Sequence, residues 1–290
     1  MIKENSLQYI LLAGLPAEER EKLKNNLRND TSIKLVELYP AGDMWKTLEE
    51  RELPVEECLL ISGLENALEW GRNMKLPTIG YQLAKQQDMT AGSTYLQADM
   101  IVEGFEEVDA EFLLRIWQRY YGRPWTILTT ERCVVRELEL ADLDALFALY
   151  ENPKLTEYIE GLYPYEEELA YQKAYIECMY RFFGYGMWLV FEKTTGKLIG
   201  RAGIEHREEL DGALELGYAI HPDYQRKGYG TEVCKAIIQY AFAELDFEEI
   251  CCLIEKENEA SIHFAKHLGF LFQKAMVLNE KEMFQYVKKR

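Results

Sequence analysis

From Leu214 to Ala241 the chain reads LELGYAIHPDYQRKGYGTEVCKAIIQYA, and this stretch limits the fold more tightly than any other. Strand alternation in LELGYAI puts Leu214, Leu216, Tyr218 and Ile220 on one face and Glu215, Gly217 and Ala219 on the other. Next comes HPDYQRKGYG, with a proline, two basic residues and two glycines. After it Val233, Ala236, Ile237, Tyr240 and Ala241 recur at helical spacing. A strand that turns on glycine into a helix needs a sheet to sit in and a layer of helix laid back on that sheet. The turn also leaves backbone N–H groups unpaired at the positive end of a helix dipole, which suits an anion.

Two familiar anion-binding turns are excluded. A dinucleotide fingerprint needs a third glycine where Val233 stands, and a P-loop needs Lys-Ser or Lys-Thr where Gly230 is followed by Thr231-Glu232. What fits is Gln225-Arg226-Lys227-Gly228-Tyr229-Gly230, which resembles the Q/R-x-x-G-x-G/A loop of the GNAT (GCN5-related) acyltransferases. Further blocks follow the same order. TERCVVRELELADLDALFALYENPKL resembles the opening strand and helix of the subgroup that includes ribosomal-protein N-terminal acetyltransferases. LIGRAGI resembles the family's third strand, and IEKENEASIHFAKHLGF its last conserved block. The resemblance spans roughly Thr130–Phe272 and implies an N-acetyltransferase that uses acetyl-coenzyme A and an amine acceptor.

On that resemblance the cofactor residues are Ala219, Ile220, His221, Gln225, Arg226, Lys227, Gly228, Tyr229, Gly230, Thr231, Asn258 and Ser261. Gly228 and Gly230 let the backbone approach the pyrophosphate, and N–H groups from Lys227 to Thr231 point at it from the helix start. N–H groups near Ala219–His221 would polarise the thioester carbonyl. Acyl transfer also needs a base for the amine and a proton for the leaving thiolate. Glu215, read as an isolated carboxylate beside Gly217 and Ala219, is the candidate base; the alternative is a salt-bridged structural glutamate. Many relatives carry a Tyr at the position of Ala265, so the proton donor stays open among water, Ser261, Tyr218 and Tyr224. Asn258 is equally a good helix N-cap, Phe264 lines core or groove, and His221 packs beside the loop. The four histidines lack metal spacing, and no metal is expected. A non-catalytic acyl-coenzyme A sensor is the rival reading.

Upstream the rhythm differs. Apolar runs at Tyr9–Gly14, Ile33–Leu38, Cys58–Gly63, Thr78–Gln82 and Met100–Phe105 alternate with helical patterns such as PAEEREKLKNNL and AEFLLRIWQRYY. Buried strands alternating with helices imply a parallel, layered α/β sheet. Gly122 and Pro124 then break the pattern. We therefore expect an α/β domain with a parallel layered (Rossmann/HAD-like) sheet over 1–124, and an α+β GNAT domain with a mixed sheet over 125–290.

VEECLLISGLENALEWGRNMKLPTIGYQ and ADMIVEGFEEVDAEFLLRIW, within Leu53–Trp117, resemble a haloacid-dehalogenase-like (HAD) fold. The strand that should end in paired aspartates ends in Ile61-Ser62-Gly63, and YILLAGLP lacks the D-x-D nucleophile. The first domain is thus read as non-catalytic, with a flavodoxin-like layered domain as the alternative. The crevice near Gly14, Ser62–Gly63 and Gln82 is where its ligand would be sought.

The net charge of −17 is spread over both halves, 14 basic against 21 acidic residues up to residue 130 and 19 against 29 beyond it. This argues against a nucleic-acid face and favours cationic, amine-bearing partners. YENPKLTEYIEGLYPYEEELAYQKAY, rich in Glu and Tyr, lies where acceptor-binding helices are found in relatives. The six cysteines have no C-x-x-C spacing and read as buried thiols of a reducing cytoplasm. No run reaches the about 18 apolar residues of a membrane span. A cytoplasmic location with no membrane partner is expected, and a homodimer is left open.

Overall fold

The computed structural model describes residues 6–28, 32–38, 48, 50–82, 97–210 and 212–290. The chain divides into two compact units, Met1–Arg123 and Pro124–Arg290.

In the first unit the sheet is formed by β1 (Tyr9–Ala13), β2 (Lys34–Leu38), β3 (Cys58–Ser62), β4 (Thr78–Tyr81) and β5 (Met100–Val102), in the order β2-β1-β3-β4-β5. Every pairing is parallel. β3 and β4 are buried at every position, as strands covered on both faces must be. Ile10, Leu12, Leu59 and Ile61 share one core with Leu23 of α1 (Ala17–Asn26) and with Leu113 and Trp117 of α3 (Ala110–Tyr120). Leu11, Ala13 and Leu60 face the other way, onto Ala67 of α2 (Glu65–Asn73). Helices on both faces and a 2-1-3-4-5 order describe a doubly wound sheet of the flavodoxin-like kind, with its switch point between β1 and β3. At that switch point the Ser62 hydroxyl donates to the Ala13 carbonyl at 3.0 Å and accepts the Leu64 N–H at 3.0 Å. A Cβ added to Gly63 would meet the Gly14 carbonyl at 2.7 Å. The stretch Leu83–Leu96, which follows Gln82, lies outside the described residues.

The second unit is a mixed sheet of eight strands: β6 (Thr126–Thr129), β7 (Cys133–Arg136), β8 (Met187–Glu192), β9 (Leu198–Arg207), β10 (Ala213–Ile220), β11 (Glu249–Glu255), β12 (Leu271–Leu278) and β13 (Lys281–Lys289). Their order is β12-β13-β11-β10-β9-β8-β7-β6. β6 lies just past the break at Gly122 and Pro124, where the sequence pattern places the domain boundary and no strand: Thr126–Thr129 pairs with β7 at the sheet edge. β8 and β9 form the hairpin expected across Thr195-Gly196. β10 and β11 are the parallel pair, which requires a crossover. α6 (Tyr229–Ala243) supplies it and buries Val233, Cys234, Ile237, Ile238 and Ala241 on the sheet.

α4 (Leu143–Tyr150) lies on β9. α5 (Tyr165–Tyr175) runs on without a break into a π-helical segment, Ile176–Phe183. The Tyr175 hydroxyl accepts the Met187 N–H at 2.7 Å, and the Tyr180 hydroxyl donates to the Met187 carbonyl at 2.5 Å. The last residue of α5 and the π segment thus pin the two backbone groups of Met187 at the start of β8. Five cysteines are buried as expected; Cys178, in the π segment, is exposed.

Candidate active site

The glycine turn is built from the end of β10. The His221 N–H donates to the Ile199 carbonyl at 2.8 Å, and its Nδ1 accepts the Asp223 N–H at 3.2 Å, starting a single 3-10 turn at Pro222–Tyr224. Gln225 Nε2 donates to the Ile220 carbonyl at 2.8 Å, which ties the loop to the strand end. Arg226 (φ +56°) and Gly228 (φ +86°) are left-handed, and Gly228 is the N-cap of α6. The first intrahelical bond runs from the Glu232 N–H to the Gly228 carbonyl at 3.0 Å. The N–H groups of Gly228, Tyr229, Gly230 and Thr231 are therefore those a helix cannot pair internally.

Arg132 braces this turn, which sequence reasoning missed. Its Nε and Glu232 Oε2 lie 2.7 Å apart, its N–H donates to Glu232 Oε1 at 2.8 Å, and its Nη1 donates to the Lys227 carbonyl at 3.0 Å. Its guanidinium also covers the Tyr229 ring at 4.2 Å. The partners are 100 residues apart in sequence, so no local pattern could have paired them.

The second feature is a gap in the sheet. β10 pairs with β9 along its whole length, from Ala213↔Arg207 to Ile220↔Gly200, and β11 with β13 from Glu249 to Glu255. Between β10 and β11 the register holds at one position, Glu215↔Cys251. The two parallel strands splay apart beyond it. The bond from His221 to Ile199 sets the phase of the β9 ladder, so alternation turns the N–H groups of Tyr218 and Ile220 toward the gap and those of Ala219 and His221 toward β9. Of the donors expected near Ala219–His221, His221 is thus already committed, and Ile220 is the one that faces the splay.

Glu215 sits at the apex of the splay and is not isolated. It is 7% exposed, pairs with Arg207 Nε and accepts the Leu253 N–H from β11 at 3.2 Å. Its carboxylate thus fills a ladder position that the diverging strands leave open. Burial pushes its pKa above the ordinary value, and the Arg207 guanidinium pulls against that rise. On the same face Tyr175 donates to Glu205 at 2.7 Å. Burial, and then the Glu205 carboxylate, hold the Tyr175 phenol well above its usual range.

Across the sheet Asn258 caps α7 (Glu259–His267), its Oδ1 accepting the Ser261 N–H at 3.0 Å. The Tyr218 hydroxyl is 3.4 Å from the Ser261 carbonyl, its ring lies 4.8 Å from that of Phe264, and burial raises its pKa. A Cβ on Gly230 would meet Phe264 at 3.5 Å, so the glycine turn, β10 and α7 meet there. Ala265 is fully buried. The Tyr224 ring lies edge-on to Tyr229 at 5.5 Å. Among the described residues no cluster of three or more His, Cys, Asp or Glu is placed to hold a metal, and no helix is long and apolar enough to cross a membrane.

Comparison with known proteins agrees with this geometry. Residues 132–271 match the family model "Acetyltransferase (GNAT) domain". The uncharacterized N-acetyltransferase YoaA of Bacillus subtilis is 28% identical over 156 residues, covering 53% of this chain and 86% of YoaA. The spermidine N(1)-acetyltransferase of Escherichia coli K12 is 38% identical over 78 residues, 27% of this chain and 42% of that enzyme. Among solved structures, apo RimL, a ribosomal L7/L12 α-N-protein acetyltransferase, superposes with a TM-score of 0.51 at 18% identity. The match covers 58% of this chain and 96% of RimL, and it shows a shared fold. The second unit of this chain carries a GNAT N-acetyltransferase domain.

Proposed function

We propose that the second unit transfers an acetyl group from acetyl-coenzyme A to a primary amine of a small molecule or a protein N-terminus. One observation carries the reading: Gln225 ties the open N-terminus of α6 to the end of β10 where the strands splay. An extended thioester cofactor can then lay its pyrophosphate on the N–H groups of Gly228–Thr231 and its thioester beside Ile220. Lys227 and Arg226, both exposed, add positive charge at the turn. Asn258 holds the start of α7 so that Ser261 and Phe264 flank the same groove.

In this reading the acceptor nitrogen attacks the thioester carbonyl carbon, and the C–N bond forms as the C–S bond breaks. The Ile220 N–H stabilises the charge that develops on the carbonyl oxygen. The amine proton passes through water to Glu215, and the thiolate takes a proton from solvent, since Ala265 offers no hydroxyl and Tyr218 is turned toward Ser261. The first unit, which among the described residues has no paired carboxylates at its strand ends, takes no part in the chemistry. The HAD-like resemblance receives no support from its strand order, which is the flavodoxin-like one.

The test is acetyl-coenzyme A-dependent release of free thiol with a panel of polyamines, amino acids and N-terminal peptides. Turnover with at least one amine is expected, with a loss of about 100-fold in Glu215→Gln, the lower end for a general base. The Arg207 ion pair on Glu215 favours a second reading, an acyl-coenzyme A sensor. It predicts binding without turnover on every amine, and a Glu215→Gln variant that binds as tightly as wild type.

A further inference from the structure

Arg201 is a buried charge of the second unit whose partners among the described residues do not account for its position. It lies in the middle of β9 and is 8% exposed. Its Nη1 donates to the Tyr150 hydroxyl at 3.3 Å, its Nε is buried with no hydrogen-bond partner, and no carboxylate among the described residues pairs with it. A guanidinium does not shed its proton in a protein. A buried charge without a counter-charge is costly, and such groups are ordinarily paired or hydrogen-bonded throughout.

Its place in the sheet says what could complete it. Arg201 is register partner of Ala219, so the two side chains share a face, with Cα atoms about 5.5 Å apart for a hydrogen-bonded antiparallel pair. Ala219 immediately precedes Ile220, the donor at the splay. Gly203 and Glu205 follow at two-residue steps on the same face, opposite Gly217 and Glu215. At about 3.4 Å per residue, Arg201 and Glu205 are some 13–14 Å apart along the strand. The face thus has a cation beside the acyl-transfer position, two glycines at its middle step that are covered by the Gly186 carbonyl and the Met187 side chain, and carboxylates toward the apex. Tyr150, Tyr175 and Tyr180 lie against the cationic end.

We propose that Arg201 docks a carboxylate of the acceptor, so that the amine acetylated belongs to a molecule carrying a carboxylate close to that amine, as amino acids and short peptides do. The ammonium is drawn toward Glu205 and Glu215 while the carboxylate is held by the guanidinium, which orients the nitrogen at the thioester. This rests on the acetyltransferase reading above.

The test compares kcat/KM for amine pairs that differ only in the carboxylate, an amino acid against its amide and against its decarboxylated amine, with wild type, Arg201→Gln and Arg201→Lys. Wild type is expected to prefer the carboxylate form about 100-fold, the range of a charge-assisted bidentate contact. Arg201→Gln should lose the preference while keeping turnover on the neutral amine, and Arg201→Lys should recover part of it. Melting curves separate docking from a structural role: Arg201→Gln should melt no lower than wild type, because its charge is unpaired, and N-acetyl amino acid should raise the wild-type melting temperature alone. Equal rates on both members of every pair, with unchanged preference in Arg201→Gln, would overturn the proposal while leaving the enzyme an acetyltransferase. No turnover on any amine would instead refute the reading beneath it. A wild-type preference for succinyl- over acetyl-coenzyme A that Arg201→Gln abolishes would place the carboxylate on the donor and overturn the acceptor assignment.

Discussion

Gly228 and Gly230 stand two residues apart in the same turn, yet the structure predicts opposite responses to one methyl group. Gly228 is left-handed at φ +86°, where a side chain crowds its own carbonyl at a cost of about 1–2 kcal/mol. Its added Cβ would lie 3.2 Å from Arg132 Nη2, the far end of a flexible side chain that can give. Gly228→Ala is therefore expected to lower the melting temperature by about 2–8 °C, at roughly 2–4 °C per kcal/mol for a unit of this size. Gly230 lies in the first turn of α6 with no positive φ, and its added Cβ meets nothing closer than Phe264 at 3.5 Å. Gly230→Ala should gain up to about 1 kcal/mol of helix propensity and melt higher by up to about 4 °C. Differential scanning calorimetry of the two variants and wild type decides it. If Gly228→Ala melts at or above wild type, or if Gly230→Ala falls as far as Gly228→Ala, the turn does not have the backbone described and its N–H groups do not converge as argued.

Glu215, raised by burial, should set an acid limb in kcat above the ordinary glutamate range, and Arg207→Met, by removing the opposing guanidinium, should move that limb further up; a limb that stays put removes Glu215 as the base. The same direction fixes the stability: a carboxyl whose folded pKa is raised stabilises most below its unfolded pKa and loses that as pH rises through the folded value, so Arg207→Met should melt lower at neutral than at acid pH, relative to wild type. Asn258→Ala removes the α7 cap and should cost about 1 kcal/mol in chemical denaturation, with faster amide exchange at Ser261. A Cβ on Gly203 would sit 2.0 Å from the Gly186 carbonyl, so Gly203→Ala should cost about 3 kcal/mol or more, read from the same denaturation curves. Arg132→Ala should speed exchange at Tyr229–Glu232 and leave the Ile237–Ala241 turn of α6 unchanged.

The parts legible in the sequence were those written in local periodicity. Contiguous apolar runs gave β1, β3 and β4, because strands covered on both faces need no alternation. The alternation of Leu214–Ile220 gave β10 with the right residues on each face. Asn258 was legible as a cap because its bond spans only three residues. β6 was missed because Thr126–Thr129 is short, polar at its ends and placed beside a Gly and a Pro. The splay was invisible for a different reason: which ladder bonds are missing depends on how two strands diverge, and alternation reads the same either way. Glu215 looked isolated because its partners arrive from the hairpin end at Arg207 and from β11 at Leu253. Arg201 drew no notice within LIGRAGI, since nothing local marks a residue whose partners fail to appear.

The central claim is that the turn from Gln225 to Thr231 holds the pyrophosphate of acetyl-coenzyme A. Titration of acetyl-coenzyme A into the full chain by calorimetry, beside a Gly228→Glu variant confirmed to be folded, tests it most directly. The account predicts one site per chain on wild type and no measurable binding to the variant, whose carboxylate would face the N–H groups in the ligand's place. Wild-type binding that survives in Gly228→Glu with unchanged affinity, or no binding to wild type at all, would contradict it.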